Sequence, residues 1–249
     1  MTVKAIKTEL IYGRRPVLET LRGFRYIIEV LGTDSGIKWL RTETKKRAIG
    51  FDVPVRNLNK QKLHNLLKHA DHQGIAARVS VFEYTKLSII LDRMPAIILL
   101  ADSITDPHNL GAMIRNAHLC GVGAVIIPRE NSADITPVVV HTSAGATEHT
   151  PIVSVGSLAH ALQMLKERGY NTTAAVKPAD SSVSLAEFKP QKHTAVIMGS
   201  EGKGISSKIL RRCGILLSIP QTGVIDSFNV SVATGIILNK IALELEILD

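Results

Sequence analysis

The hydrophobic and polar positions of this chain fall into two patterns. Beyond about residue 95, short runs are apolar at nearly every position: AIILLAD (96–102), AVIIP (124–128), TAVIMG (194–199) and ILLSIP (215–220). Such runs suit strands covered on both faces, as in a parallel sheet. Between them, NLGAMIRNAHLCG (109–121), LAHALQMLKERG (158–169) and SVATGIILNKIALELEIL (231–248) have helical spacing, with Ser157 placed to cap the second and Gly169 to stop it. Strand alternating with helix predicts an α/β domain. Over residues 1–80 the pattern is more amphipathic. RYIIEVL (25–31) and IAARVSVF (75–82) read as strands. IKWLRTETKKR (37–47), KQKLHNLLKHA (60–70) and a first helix opened by Pro16 read as helices. The mixed, charged stretch 83–94 reads as a linker, giving an N-terminal domain 1–82 and a C-terminal domain 95–249.

Charge sharpens this division. Residues 1–94 hold 18 lysines and arginines against 9 acidic residues, whereas residues 95–249 hold 12 against 13. The whole excess of +8 therefore belongs to the first part. A basic module joined to a near-neutral one fits a polyanion-docking domain attached to a domain with another task. The best basic cluster is Lys38, Arg41, Lys45, Lys46 and Arg47 around Trp39, with Arg14 and Arg15 upstream. Trp39 can stack on a base or pack in the core. The 45% apolar content supports a real core, and no apolar run approaches the ~20 residues of a membrane span. MTVKAIKTELIYGRR has no apolar signal core, so a cytoplasmic protein is expected. Cys120 and Cys213 stand apart, with no histidine cluster at zinc spacing, so buried free thiols and no metal are expected.

Three segments carry candidate chemistry. In LADSITDPHNLGAMIRNAHLCGVGAVIIP (100–128) a buried strand ends at Asp102, a polar turn follows and a helix begins. Ligand groups gather beyond the carboxyl ends of such strands. Asn109 can serve a ligand or simply cap the helix. Arg115 can serve a ligand or pair with Asp102 or Asp106. Six residues at about 100° each do not put these two on one narrow face. In IMGSEGKGIS (197–206) three glycines allow the backbone to approach a ligand and hold Glu201 in the turn. It is neither a GxGxxG nor a Walker A sequence, and an ordinary strand-to-helix turn is the alternative. In LSIPQTGVIDSFNVSVATGIILNKIAL (217–243) Ser227 and Asn229 precede a helix that opens on small residues, and both are good capping types.

DPHNLGAMIRNA, MGSEGKGIS and IPQTGVIDSFNVSVA, in this order over roughly 95–245, resemble the three motifs of the SpoU–TrmH branch of the SPOUT methyltransferases. The spacing of the last two is similar to the type that methylates a guanosine ribose of large-subunit (23S) rRNA. IYGRRPVLETL and HADHQGIAA resemble the family's accessory RNA-binding domain, similar in fold to a small ribosomal protein. The resemblance implies a parallel-sheet domain with a deep trefoil knot, an S-adenosylmethionine cofactor, and a homodimer with its active site at the subunit interface. It implies active-site roles for Asn109, Arg115, Glu201, Ser227 and Asn229, backbone contact of Gly199 with the cofactor, and Ile219 and Phe228 lining the adenosine pocket. Phe228 stands where the family pattern has leucine. The family proposal makes Arg115 the base. A guanidinium with pKa above ~12 resists that role, so a cation stabilising the alkoxide is the alternative. The expected activity is 2′-O-methylation of an RNA ribose. A tRNA substrate, or a non-catalytic RNA-binding or ribosome-assembly factor on the same fold, are the other readings.

Overall fold

The computed structural model describes residues 7–68, 71–224 and 227–248. It divides into two compact units, one formed by Met1–Glu83 with Ile135–His149, the other by Tyr84–Asp134 with Thr150–Asp249.

The first unit runs β1 (Thr8–Tyr12), α1 (Arg14–Thr20), β2 (Ile27–Gly32), α2 (Asp34–Lys46), β3 (Val55–Asn57), α3 (Lys60–Leu67) and β4 (Ile75–Ser80). Its sheet has the order β1-β4-β2-β3. β4 pairs antiparallel with β1 and β2, and β3 lies parallel to β2. Tyr12, Leu31, Leu63, Leu67 and Ala76 form one buried cluster between sheet and helix. α2 begins where Thr33 accepts the Gly36 N–H, and α3 where Asn59 accepts that of Lys62. The expected end of α3 at residues 69–70 lies outside the described residues. Later in the chain, helix α6 (Pro137–Thr142) and a 3-10 turn, Ala146–Glu148, complete this unit. Gly13 has φ +100° and His141 fills the space where its Cβ would stand, while the His141 ring stacks on Tyr12 at 4.7 Å. Glu148 and Glu9 hold the buried Arg25 guanidinium. Burial pushes the Glu9 carboxyl up, against the opposing pull of Arg25.

The second unit contains α4 (Leu87–Arg93), β5 (Ile97–Asp102), α5 (Pro107–Leu119), β6 (Ala124–Pro128), β7 (Ile152–Val155), α7 (Leu158–Glu167), β8 (Asn171–Val176), β9 (Val183–Ser184), β10 (Thr194–Gly199), α8 (Ser207–Leu210), β11 (Ile215–Ser218) and α9 (Val230–Glu244). Its seven strands have the order β7-β6-β5-β10-β8-β11-β9, and every neighbouring pair is parallel. The expected parallel sheet is therefore present, with β5 and β10 buried at its centre. Ser157 caps α7 by accepting the His160 N–H, and Gly169 follows it at φ +85°.

Two boundaries differ from the sequence reading. The stretch 83–94 contains α4, whose Ile90 and Leu91 are buried among Ile98, Leu100 and Leu162, so it belongs to the second core. Apolar positions at i and i+1 inside a charged segment hid this helix. Residues 135–149, placed by sequence in the C-terminal domain, pack with the first unit because Glu148 and His141 find their partners there. Among the described residues no helix is long and apolar enough to cross a membrane. Cys120 is buried and Cys213 half-buried, both are free, and burial pushes the Cys213 thiol up to about 11.

Candidate functional site

Parallel strands send their C-terminal ends to one edge of the sheet, where loops collect side chains distant in sequence. Here Gly199 at the end of β10 lies in register with Asp102 at the end of β5. The buried Asp102 carboxylate accepts the Ser206 N–H at 2.8 Å and the Ser103 hydroxyl at 3.1 Å. That ties the loop after β10 to the end of β5. Asp106 caps α5 by accepting the His108 N–H. Asn109 is thus left free of capping and lies in the first turn of α5.

The Asn109 side chain donates to Glu201 Oε1 at 3.1 Å. Asn229 donates to Asn109 Oδ1 at 2.9 Å and to the same Glu201 oxygen at 2.5 Å. Three residues, one from each motif, form a closed triangle of hydrogen bonds. Asn229 also caps α9, its Oδ1 accepting the Ser231 and Val232 N–H groups. Its capping and site roles therefore coexist, since the cap uses the oxygen and the triangle uses the nitrogen. Asn116, which the sequence reading did not single out, fixes the two helices behind the triangle. Its amide donates to the Ser231 carbonyl at 2.7 Å, and Gly235 leaves it room, an added Cβ standing 3.1 Å from Nδ2. Its place one residue beyond Arg115 on the same helix was the available signal.

Beside the triangle lies a pocket of about 400 Å³. Its walls include Gly199, Glu201, Ile219, Ser227, Phe228 and Ile237. Gly199 is forced by packing: a Cβ there would stand 2.3 Å from both Gly204 C and Ile205 N. The loop turns back at once, through the Gly204 N–H bonded to the Ser200 carbonyl, with Gly202 at φ +83° and Gly204 at +66°. Of the residues expected from sequence, Gly199, Ile219, Ser227, Phe228 and Glu201 share this pocket, and Asn109 and Asn229 join through Glu201. Arg115 does not join by any bond. It is exposed on α5, and among the described residues it makes no hydrogen bond or ion pair. Its alternative as a partner of Asp102 or Asp106 is not formed, because both carboxylates are engaged elsewhere. Ile225 and Asp226 of the third motif lie outside the described residues. Among those described, no group of three or more His, Cys, Asp or Glu could hold a metal ion.

On the first unit, Lys38, Arg41, Lys45 and Lys46 line one open groove along α2, and Arg15 is exposed. Glu43 pairs with Lys46 at 3.1 Å and with Arg47 at 3.4 Å, so part of the cluster is neutralised locally. These contacts hold the Glu43 carboxyl below its ordinary range, the Lys46 hydrogen bond most of all. Trp39 is half-buried, and the Arg14 guanidinium lies 5.3 Å above its ring, so that face is already covered.

Comparison with known proteins matches the two halves of the chain to two families. Residues 96–239 match the model of the SpoU rRNA Methylase family, and residues 10–85 match the RNA 2′-O ribose methyltransferase substrate-binding family. An uncharacterised tRNA/rRNA methyltransferase of Mycolicibacterium vanbaalenii is 34% identical over 247 residues, covering 96% of this chain and 77% of that one. An S-adenosylmethionine-bound rRNA methyltransferase of Sinorhizobium meliloti shares the fold at TM-score 0.78 and 22% identity, over 96% of this chain and 88% of the other. A TrmH/SpoU tRNA-modifying enzyme of A. aeolicus matches at TM-score 0.55 and 28% identity, over 64% of this chain and 84% of its own. With both halves matched in order and the motif residues gathered at one sheet edge, this chain belongs to the SpoU family of RNA 2′-O-ribose methyltransferases.

Proposed function

We propose that the chain uses S-adenosylmethionine to methylate a ribose 2′-hydroxyl of large-subunit rRNA, at a guanosine, and that it does so as a cytoplasmic homodimer without a metal. The observation that carries the catalytic part is the Asn109–Glu201–Asn229 triangle beside the glycine-walled pocket. The pocket fits the cofactor. Leu217, Ile219, Phe228 and Ile237 give apolar walls for an adenine, and the absence of a Cβ at Gly199 lets backbone come close. When bound, S-adenosylmethionine supplies a sulfonium methyl open to in-line attack.

The chain's task is to align the ribose oxygen and stabilise it as it loses its proton. Asn229 has both amide hydrogens committed, whereas Asn109 keeps one spare N–H and Glu201 keeps Oε2. Those two groups are the polar valences left to hold substrate hydroxyls. Glu201 therefore positions amides and substrate rather than acting as the base. Ser227 lines the pocket and is assigned to hold the ribose. Arg115 is assigned as a cation beside the developing alkoxide, with the proton leaving through water, because a guanidinium stays charged.

The homodimer is supported by exposed apolar side chains on the paired helices α5 and α9. Leu119 is 63% exposed, and Val232 and Leu243 are each 49% exposed. The deep trefoil knot of the family belongs to the same proposal. The basic first unit, with Arg14, Arg15, Lys38, Arg41, Lys45, Lys46 and Arg47, is the RNA-docking part. It favours rRNA over tRNA, since the tRNA-modifying relative matches only 64% of the chain. The test is methyl transfer from labelled S-adenosylmethionine to separated rRNA and tRNA, followed by mapping of the modified ribose. Label in a 23S guanosine is expected. Label in tRNA alone overturns the substrate, and label in neither overturns the enzyme.

A further inference from the structure

Two helices of the first unit begin at one groove that none of the three methyl-transfer motifs reaches. Thr33 caps α2 and Asn59 caps α3, and both caps line the groove together with Asp34, Ser35, Lys60 and His72. Each cap satisfies a single N–H, that of Gly36 or Lys62. The N–H groups of Asp34, Ser35 and Lys60 have no intrahelical acceptor, as in any first turn. The partial positive charges of two helix starts therefore meet in one place.

His72 adds an independent observation. It is only 2% exposed, and its Nδ1 accepts the Gly74 N–H at 3.0 Å. An accepting Nδ1 places the ring proton on Nε2. That Nε2 is buried and has no hydrogen-bond partner among the described residues. A buried, unpaired N–H facing a polar groove leaves an acceptor missing. The neighbouring Arg14 is in the same condition, its Nε buried and unpartnered. The turn that carries His72 is pinned to the start of α2. The Gly74 carbonyl accepts the Thr33 N–H at 2.9 Å and would lie 2.2 Å from a Cβ on Gly36. Among the described lining residues Asp34 is the one acidic group, its carboxylate bonded to the Asn57 amide, and the nearby Asp71 carboxylate is bonded to His141. Arg14 and Lys60 outweigh Asp34.

We propose that this groove seats a backbone phosphate of the RNA, with the His72 Nε2–H, the free amides opening α2 and α3, and the Arg14 and Lys60 cations as its ligands. A phosphodiester matches what is missing: one negative charge and several acceptor oxygens for convergent N–H donors. The inference rests on RNA binding by the first unit and adds a fixed anchor to the mobile charges along α2. One seated phosphate sets register, whereas lysines on a helix face supply only attraction.

The test is amide and imidazole NMR on the full chain, titrated separately with a short mixed-sequence oligoribonucleotide and with inorganic phosphate. The oligoribonucleotide is expected to shift the Asp34, Ser35 and Lys60 amides and the His72 Nε2–H. His72→Leu should weaken its binding by about tenfold, the loss of one charge-assisted hydrogen bond. His72→Gln, which can return an N–H, should stay within about twofold, and the exposed Lys60→Gln should lower the salt slope by about one. If the oligoribonucleotide binds but shifts only Lys38–Lys46 resonances, the phosphate seat is overturned while RNA docking by this unit stands. If inorganic phosphate alone shifts the groove, the site serves a free anion and the RNA assignment is overturned. If the oligoribonucleotide shifts nothing in this unit, the docking reading falls and the proposal with it.

Discussion

Gly199→Ala tests the pocket through a single methyl group. Carbon atoms in contact ordinarily sit about 3.5–4.0 Å apart. The added Cβ would stand 2.3 Å from Gly204 C and Ile205 N and 2.6 Å from Gly204 O. All three are backbone atoms in a loop already closed by the Ser200–Gly204 hydrogen bond and by Asp102 on Ser206, so no side-chain rotation relieves the overlap. The loop must shift by roughly 1 Å or more, given that contact distance. Overpacking of this kind costs about 1–3 kcal/mol of stability. Glu201 moves with the loop, and its bond to Asn109, 3.1 Å long, is already near the outer limit for a good N–H···O contact. Affinity for S-adenosylhomocysteine, read by calorimetry, should fall at least about tenfold, equivalent to about 1.4 kcal/mol. Methyl transfer should fall further as the triangle opens. Gly156→Ala is the control, since its Cβ would meet open space. Wild-type cofactor affinity and unfolding midpoint in Gly199→Ala would refute the claim that close backbone approach builds this pocket.

Other expectations follow from the same geometry. Arg115→Ala should nearly abolish methyl transfer yet leave S-adenosylhomocysteine binding intact, because Arg115 does not line the pocket and makes no hydrogen bond among the described residues; equal loss of both would make it structural. Arg115→Lys should also lose most activity without an acid-shifted pH profile if Arg115 is an oriented cation, whereas retained activity with such a shift would make it the base. Removing the Lys38, Arg41 and Lys45 charges together should weaken RNA binding and flatten its salt dependence more, per charge, than removing Lys46 and Arg47, which Glu43 already neutralises; equal slopes would show that Glu43 does not screen them. A fragment starting at residue 84 should outlast one starting at residue 95 in urea, because Ile90 and Leu91 each contribute roughly 1.5–3 kcal/mol by burial; matched midpoints would count against α4 as core. Burial pushes the Tyr170 hydroxyl from 10.0 up to about 12 while it donates to the Pro95 carbonyl at 2.6 Å. A raised pKa means stability is full below pH 10 and is lost as pH climbs toward 12. Tyr170→Phe should therefore be less stable at pH 8, by about 0.5–1.5 kcal/mol for one lost hydrogen bond, since His193 Nδ1 still approaches the Pro95 carbonyl at 3.4 Å, with the gap narrowing above pH 10 in denaturation; a constant gap would contradict the buried hydroxyl.

In the second unit, the strands that the sequence revealed most clearly were those buried on both faces. AVIIP and TAVIMG coincide with β6 and β10 because nearly every position there is apolar. β8, NTTAAV, is just as central, but its buried Thr172 and Thr173 carry the polar signature of a loop. β7 and β9 are too short for a period to register. The site was legible as three motifs but not as a geometry. Nothing local announces that Asn109 escapes capping because Asp106 caps instead, or that Asn229 does both jobs. The helix partner Asn116 was missed because its role depends on Gly235, more than a hundred residues away. The phosphate groove was invisible, since a histidine lacking an acceptor looks like any other histidine until its neighbours are placed.

The first unit takes its last pieces, α6 and the turn ending at Glu148, from chain that follows α5 and β6 of the second. A chain leaving the ribosome N-terminus first cannot therefore finish its first unit before starting its second. Until Glu148 emerges, the buried Arg25 has Glu9 alone to balance it, and a half-paired buried charge is strongly unfavourable. The nascent basic module thus stays incomplete through much of translation. Its commitment to a final form is postponed until β5, α5 and β6, which carry the first of the three motifs, have been synthesised. An engineer lifting residues 1–83 onto another enzyme should therefore bring 135–149 along.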